Sequence, residues 1–306
     1  MLINDFINYI SVQKRYSPLT RRAYQDALSE FVRYSYDRED VSDDELIKLL
    51  NPIMIRGFIA NGLDSGLSSR SINQKISAIS SFCNFLVKRE IIESNPVKKV
   101  HRPKEDRKLP QFFTAEALDE YFSQNRDIEH FPKYRNWVIV MMLYSCGLRR
   151  AELVGLKISN FDSSRSVIRV VGKGDKLREI PIPSLICEEL LLYLERFKKE
   201  FPDNPDGYLF LTDKGNKLYQ QFVDNVVKKE LSTVEGLTAR KSPHTLRHSL
   251  ATHLLSNGAD SNSIKEILGH SSLAATQVYT HNSFEQLKNT YLTAHPRAKN
   301  GGKNGN

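Results

Sequence analysis

The stretch SPHTLRHSLATHLL, residues 242–255, combines three histidines and one arginine at the predicted start of a helix. Pro243 suits a first helical turn, and at about 100° per residue His244, Arg247 and His248 lie on one side of that helix. A guanidinium, an imidazole and the free N–H groups of a helix start together favour an anion such as phosphate. Taken alone, the stretch is better explained as the solvated face of an amphipathic helix.

A metal ion is the main chemical alternative at this helix. His244 and His248 are four residues apart, as in a zinc metalloprotease helix, but that motif also needs a glutamate directly after the first histidine, where this chain has Thr245. Arg247 would place a fixed positive charge beside the dication. The sequence therefore disfavours a metal site here.

Three further stretches hold side chains that could serve a phosphate reaction. In YSCGLRRAELVGL a predicted helix starts at two arginines, the first of them Arg149, and Glu152 follows three residues later. Lys173 lies between two glycines at the tip of a predicted hairpin, and in LGHSSLAATQVYTH a helix-ending glycine precedes His270, with Tyr279 nine residues on. Each stretch is a weak signal alone, because such residues are commonly solvated or packed.

In their order along the chain, these motifs resemble the tyrosine recombinase (phage integrase) family, and within it the Xer-type (XerC/XerD-like) site-specific recombinases. The similarity is carried by YSCGLRRAELVGL, GKGDKLREIPI, SPHTLRHSLATHLL and LGHSSLAATQVYTH, and it extends over essentially the whole chain. The resemblance implies six catalytic positions, none of them substituted, with Glu152 in support: Arg149, Lys173, His244, Arg247, His270 and Tyr279.

The resemblance also implies how the six residues act on a DNA phosphodiester. The two arginines would stabilise the charge that grows on the non-bridging oxygens as phosphorus becomes five-coordinate. Tyr279 would be the nucleophile, aided by a cationic pocket or by His244 as base. His270 would donate to a phosphate oxygen, and Lys173 would protonate the leaving 5′ oxygen. A 5′ hydroxyl could then attack the 3′-phosphotyrosyl bond and reseal the DNA, without metal, ATP or another cofactor.

Two domains are predicted to position these residues. Residues 1–96 contain four or five amphipathic helical patterns, which predict an N-terminal helical bundle, a SAM-like core-binding domain by resemblance. Residues 97–111 are charged and nearly without periodicity, which predicts an extended basic linker. Residues 112–298 predict a helical catalytic domain with one β-hairpin, and the glycine-rich residues 299–306 predict a disordered tail.

The predicted fold is thus mainly α, with a small antiparallel β-sheet in the second domain. Pro181 predicts that the second hairpin strand lies at a sheet edge, and Thr114 is the predicted N-cap of the first helix of the second domain. The resemblance implies that the two domains form a C-shaped clamp around DNA.

The charge of the chain is compatible with such a partner. Lys and Arg exceed Asp and Glu by 44 to 36, which gives a net charge of +8 and a pI near 9.2. The excess is shared equally between residues 1–112 and the rest, which suits a clamp around DNA better than a single basic tail would.

Candidate DNA contacts lie on two predicted helices, where they could equally be solvated surface, since most protein–DNA contacts go to the backbone. They are Arg70, Asn73, Gln74, Lys75, Gln220 and Gln221. The resemblance also implies that the last helix docks on a neighbouring protomer. Its apolar face, which could equally pack within its own chain, consists of Phe284, Leu287, Tyr291 and Leu292.

Cysteine usage and the N-terminus bear on location. Cys83, Cys146 and Cys187 are far apart in apolar runs, which predicts buried thiols of a cytosolic protein without a disulfide framework. The start MLINDFINYI has no charged n-region, and no run reaches 18 apolar residues. We therefore expect a cytoplasmic protein without membrane insertion.

These patterns predict a site-specific DNA recombinase that acts within a homo- or hetero-tetramer. By resemblance its role would be to resolve chromosome dimers at cell division, with a partner recombinase and a septal DNA translocase as candidate partners. An integrase or transposase of a mobile element with the same chemistry is the alternative, disfavoured by the lack of an arm-binding domain ahead of residue 1. Two more distant hypotheses are a DNA-binding protein without catalysis and a metal-dependent nuclease using His244 and His248.

Overall fold

The computed structural model divides the chain into two compact units, Met1–Leu109 and Pro110–Asn306. It describes residues 1–36, 41–105, 112–172, 177–232, 234, 241–269 and 281–298, with only the backbone of 281–286. Lys173, His270, Tyr279 and the predicted tail 299–306 lie outside the described residues.

The described part of unit 1 is a helical bundle, as predicted. Its helices are α1 (Leu2–Val12), α2 (Pro18–Tyr36), α3 (Asp43–Leu49), α4 (Pro52–Asp64) and α5 (Ser69–Lys88). Polar side chains fix three of the helix starts, because Ser42, Asn51 and Ser68 each accept a hydrogen bond from a first-turn N–H group. The apolar faces meet in one core, whose fully buried members include Phe6, Ile55, Ile76 and Phe82.

The start of the predicted linker belongs to this core. Pro96–Lys99 form a short 3-10 helix, and Val97 and Val100 are buried against unit 1. Asn95 secures the turn, since its Oδ1 accepts from the Val97 N–H at 3.0 Å while its Nδ2 donates to α5. The prediction of an extended linker does not hold for its first three residues, which lie in this 3-10 helix. Two buried valines separated by two lysines form too short a pattern to show a helical period.

Unit 2 is built around one helix that is buried on all sides. Its helices are α6 (Ala115–Gln124), α7 (Phe131–Ser145), α8 (Arg150–Val154), α9 (Ser184–Glu200), α10 (Gln220–Glu230), α11 (Pro243–Ser256), α12 (Ser261–Leu268) and α13 (His281–Ala294). Every residue of α7 from Trp137 to Ser145 is buried, and α9, α10 and α11 pack against it. An all-round apolar helix must be covered in this way.

A small antiparallel sheet of order β1-β2-β3 completes unit 2, formed by Phe161–Asp162, Val167–Val171 and Leu177–Pro181. The predicted hairpin and the edge position of its second strand are confirmed. The two-residue strand β1 was missed, because it is too short to show alternation. Thr114 caps α6 as predicted, accepting from the Ala117 N–H at 3.2 Å.

The three cysteines are buried free thiols, as predicted. Burial raises the pKa of the Cys83 and Cys146 thiols to about 12. In the part of the chain that the structure describes, no single helix is both long and apolar enough to cross a bilayer; α3 and α4 meet that test only as a pair bent by 75°.

The last helix packs within its own unit. Leu287 and Tyr291 on α13 are buried in the core of unit 2, and Leu292 packs against it. The Tyr291 hydroxyl donates to the carbonyl of Ser145, at the end of α7. The side chain of Phe284 lies outside the described residues, so the apolar face is described in part only.

His295, just after α13, is the basis of a pH prediction. It is fully buried, its Nε2 lies 3.0 Å from the carbonyl of Ser145, and its Nδ1 accepts from the Arg297 N–H at 3.2 Å. Both ring nitrogens are thus satisfied by the neutral tautomer. Burial, with a smaller effect of the Arg297 charge, lowers the pKa of His295 from 6.5 to about 4.

Acidification is therefore expected to destabilise unit 2. The unfolded chain takes up a proton at this histidine below pH 6.5, whereas the folded chain does so only near pH 4. The stability that depends on neutral His295 is fully present above pH 6.5 and is lost as the pH falls to about 4, by about 3 kcal/mol in all. Urea unfolding followed by fluorescence of Trp137, the only tryptophan, measures it.

The variant His295→Gln should reduce this pH dependence and leave the part that arises from other groups such as His253, whose pKa burial also lowers. His248→Gln, at an exposed position of α11, should preserve the whole of it. An unaltered slope in His295→Gln would show that other groups cause the acid sensitivity.

Candidate active site

The position of Arg149 depends on the turn between α7 and α8, whose backbone conformation at residue 147 favours glycine. Gly147 follows α7 with φ 56°, in the left-handed region. A Cβ at this position would overlap the side chain of Leu268 and lie 3.0 Å from Leu250 Cδ2. The close approach lets the chain reverse into α8, where Arg149 occupies the N-cap.

Glu152, in the first turn of α8, binds two arginines. Its Oε1 accepts from Arg149 Nη1 at 2.8 Å and from Arg178 Nη1 at 2.7 Å. Its Oε2 accepts from the Arg149 backbone N–H at 2.8 Å and from Arg178 Nη2 at 2.9 Å. Burial acts to raise the pKa of Glu152, but the hydrogen bonds and charges of the two arginines outweigh it and hold the pKa below its ordinary value. An ionised carboxylate therefore orients Arg149.

Arg247 reaches the same place from α11. Ser242 caps this helix, accepting from the Thr245 N–H at 3.3 Å, and Pro243 lies in the first turn as predicted. Arg247 is 5% exposed and donates to the carbonyls of Gly147 and Leu268. Burial, and then the charge of Arg149, lower its pKa to about 10. The guanidinium remains protonated at neutral pH.

The C-terminus of α12 brings the arginines together. Arg178 Nε donates to the carbonyl of Ile267 at 2.9 Å, Arg247 to that of Leu268, and Arg149 to that of Gly269. Three consecutive carbonyls are thus held by three arginines. We call Arg149, Arg178, Arg247 and Glu152 the arginine cluster. It combines three cations with one anion, and this excess of positive charge favours binding of an anion.

The sequence predicted that His244, Arg247 and His248 lie on one side of α11, but the structure gives them different exposure to solvent. His244 and His248 are exposed, whereas Arg247 between them is buried by its carbonyl partners. His253 is also buried, with its Nδ1 2.8 Å from the Tyr144 hydroxyl. Among the described residues, no group of three His, Cys, Asp or Glu side chains is arranged to hold a metal ion.

Of the candidate DNA contacts, some side chains are exposed to solvent and others are engaged within unit 1. Arg70 and Gln74 are exposed one turn apart on α5. Lys75 instead pairs with Glu30, and Asn73 Nδ2 donates to the Pro103 carbonyl and to Glu105 Oε1, both at 3.0 Å. Two further candidates are exposed at the start of α10, Gln220 and Gln221.

Sequence reasoning missed Arg178, although the motif GKGDKLREIPI contains it. The signal was available in the strand period of two, which places Arg178 on the same face as the apolar Ile180. A cation on a buried face requires an anionic or carbonyl partner. That partner, Glu152, lies 26 residues earlier in the chain.

Comparison with known proteins identifies the family. Residues 3–90 match the phage integrase N-terminal SAM-like domain, and residues 117–286 match the phage integrase family. The chain belongs to the phage integrase family. Tyrosine recombinase XerC of Bacillus pumilus (strain SAFR-032) is 38% identical to this integrase-family chain over 301 residues, 97% of each. The prediction of a Xer-type tyrosine recombinase, a site-specific DNA recombinase, is confirmed.

Two solved structures share the fold of this recombinase. The Tn1549 transposon integrase in complex with transposon right end DNA has a TM-score of 0.68 at 19% identity, covering 93% of this chain and 97% of that one. The XerH site-specific recombinase bound to palindromic difH substrate has a TM-score of 0.66 at 23% identity, covering 89% and 78%. The mainly helical fold with its small sheet is thus that of known recombinases.

Proposed function

We propose that this recombinase cleaves and rejoins duplex DNA through Tyr279 and a 3′-phosphotyrosyl intermediate. The observation that supports this most directly is that Arg149 and Arg247, which come from α8 and α11, donate to the adjacent carbonyls of Gly269 and Leu268. The ionised Glu152 carboxylate orients the first of them. Two protonated guanidiniums side by side can bind both non-bridging oxygens of a phosphodiester. They would stabilise the additional charge of five-coordinate phosphorus.

The remaining motif residues complete the reaction. The Tyr279 oxygen attacks phosphorus, and the bond from phosphorus to the 5′ oxygen breaks. His244, exposed in the first turn of α11, takes the phenolic proton. His270 donates to a non-bridging oxygen, and Lys173 protonates the leaving 5′ oxygen. Because the phosphotyrosyl bond retains the energy of the broken bond, a 5′ hydroxyl can attack it and reseal the DNA without ATP or metal. Attack by the original 5′ hydroxyl restores the same strand, as in a type IB topoisomerase, whereas attack by the 5′ hydroxyl of another strand recombines the two.

Duplex DNA containing a specific recombination site is the proposed substrate. The solved Tn1549 integrase and XerH structures each contain DNA, and the net charge of +8 favours such a polyanion. We assign DNA binding to unit 1 and to the start of α10, and catalysis to residues 112–298. The exposed candidates for DNA contact are Arg70, Gln74, Gln220 and Gln221.

The proposed biological role is resolution of chromosome dimers at cell division, in the cytoplasm. The support is similarity to proteins named XerC over nearly the whole chain. The protein would act in a tetramer with a partner recombinase on two DNA sites, and a septal DNA translocase is a further proposed partner.

Capture of a covalent adduct tests the proposed chemistry. The protein and its Tyr279→Phe variant are incubated in EDTA, without ATP, with sheared host DNA and then with nicked duplexes made from the recovered sites. We expect a protease-sensitive adduct on a denaturing gel with the wild type and none with Tyr279→Phe. Tyr34→Phe, at a partly exposed tyrosine of α2, is the matched control and should form the adduct.

Folded wild-type protein that binds these duplexes but forms no adduct would contradict the proposal and favour a non-catalytic DNA-binding protein. Cleavage that EDTA abolishes would favour a metal-dependent nuclease.

A further inference from the structure

Arg178 on β3 is part of the arginine cluster but is not one of the six motif residues that act on the phosphodiester. Its side chain is 8% exposed, so it is withdrawn from solvent. Its guanidinium makes a two-point contact with Glu152, at 2.7 and 2.9 Å, and its Nε donates to the Ile267 carbonyl at 2.9 Å. One planar group thus joins the edge strand of the sheet to α8 and to the end of α12.

The contact with Glu152 also determines the setting of Arg149. A two-point contact with a planar guanidinium fixes the plane of a carboxylate as well as its position. The same two oxygens of Glu152 receive the side chain and the backbone N–H of Arg149. Any rotation of the carboxylate would therefore move the Arg149 guanidinium.

The contact with α12 acts on the other side of the cluster. Arg178 lies close to Gly269, where a Cβ would be 3.2 to 3.3 Å from three of the arginine's atoms. Arg149 and Arg247 donate to the carbonyls of Gly269 and Leu268. The two proposed phosphate-binding arginines thus rest on a helix end that Arg178 holds in place.

We propose that Arg178 is a positioning residue for strand cleavage, which orients Arg149 through Glu152 and holds the end of α12 against both phosphate-binding arginines. This inference rests on the proposed function, because it assigns Arg178 a role in the same reaction. Arg178 itself does not touch the phosphate. A structural role alone is a poor explanation, because a buried ion pair contributes little net stability compared with well-packed apolar side chains.

Kinetics of the intact protein on the recovered nicked duplexes test this role. Under single-turnover conditions at saturating protein, Arg178→Met is expected to lower the rate constant for adduct formation by about 100-fold, since a misplacement of about 1 Å costs that much. The apparent Kd for the same duplex, measured by gel shift, should remain at the wild-type value. Arg178→Lys should recover only part of the rate, because lysine restores the charge without the two-point geometry.

Arg169→Met is the matched control. Arg169 is a neighbouring strand arginine on β2 that pairs with Asp162 at 2.9 Å and Glu179 at 3.1 Å, away from Glu152. Its loss should leave the rate constant unchanged. If Arg178→Met does not fold, the rate constant of Arg178→Lys is compared with that of the wild type instead, because lysine keeps a buried cation beside Glu152.

A double-mutant cycle with Glu152→Gln separates positioning from general destabilisation. Because part of the effect of Arg178 passes through Glu152, adding Arg178→Met to Glu152→Gln should slow adduct formation by a much smaller factor than Arg178→Met slows the wild type. Rate losses that simply multiply would overturn the inference, as would wild-type rates in Arg178→Lys and Arg178→Met. Either result would leave the proposed function intact, provided that the wild type forms its adduct. A wild type without adduct would overturn both.

Discussion

Arg247→Met is expected to lower the rate of strand cleavage by about 100- to 1,000-fold, the loss found when one preorganised donor to a transition-state oxygen is removed. Arg247 is buried, so its charge acts on the phosphate with little screening by water. Single-turnover adduct formation on the recovered nicked duplexes measures the loss. Affinity for DNA should change far less, because many phosphate contacts share it.

Arg150→Met is the control for this experiment. Arg150 begins α8 directly after Arg149, but it pairs with Asp224 on α10 and is 38% exposed. Its removal should leave the rate of adduct formation close to that of the wild type. Arg247→Lys retains the charge but cannot reach both the Gly147 and Leu268 carbonyls as the guanidinium does, so we expect it to remain defective. Wild-type cleavage by Arg247→Met would contradict the assignment of Arg247 to the phosphate.

Gly147→Ala is expected to destabilise unit 2 strongly. An L residue with φ 56° costs about 1 to 2 kcal/mol, and overpacking against Leu268 and Leu250 costs about 1 to 3 kcal/mol more. The free energy of unfolding of unit 2 should therefore fall by about 3 kcal/mol. Urea unfolding followed by Trp137 fluorescence measures the change. Because Leu268 would be displaced, the carbonyl that accepts from Arg247 would move as well.

Gly258→Ala separates backbone strain from overlap. Gly258 follows α11 with φ 88°, and a Cβ there would meet nothing within 4 Å. This variant should lose only the strain contribution, about 1 to 2 kcal/mol. Equal losses in the two variants would show that Gly147 is needed for its φ alone and that its contact with Leu268 is unimportant.

The helices and the hairpin could be predicted because their signals are local. Apolar spacing located α2 and α5, and Thr114 marked the start of α6 by its side chain alone. The first residues of the predicted linker, from Val97 onward, were misassigned, since Val97 and Val100 are buried by contacts with the rest of unit 1 that the sequence does not display. Tertiary packing decided their structure, and local periodicity did not.

The candidate site was predictable in composition but not in arrangement. Arg149, Glu152 and Arg247 could be named because their motifs occur in a recognisable order. Their contacts with Gly147, Leu268 and Gly269 join residues up to 120 positions apart, and no spacing rule encodes them. Arg178 was overlooked for the same reason, because its partner lies on another element.

The most direct test of the account is the chemical identity of the protein–DNA bond. After digestion of the adduct with nuclease and trypsin, mass spectrometry should find the nucleotide remnant on the peptide of residues 266–288, whose only tyrosine is Tyr279. The released strand should carry a 5′ hydroxyl that a kinase labels without prior phosphatase treatment. Attachment to any other residue, or a released 5′ phosphate, would contradict cleavage by Tyr279 through a 3′-phosphotyrosyl bond.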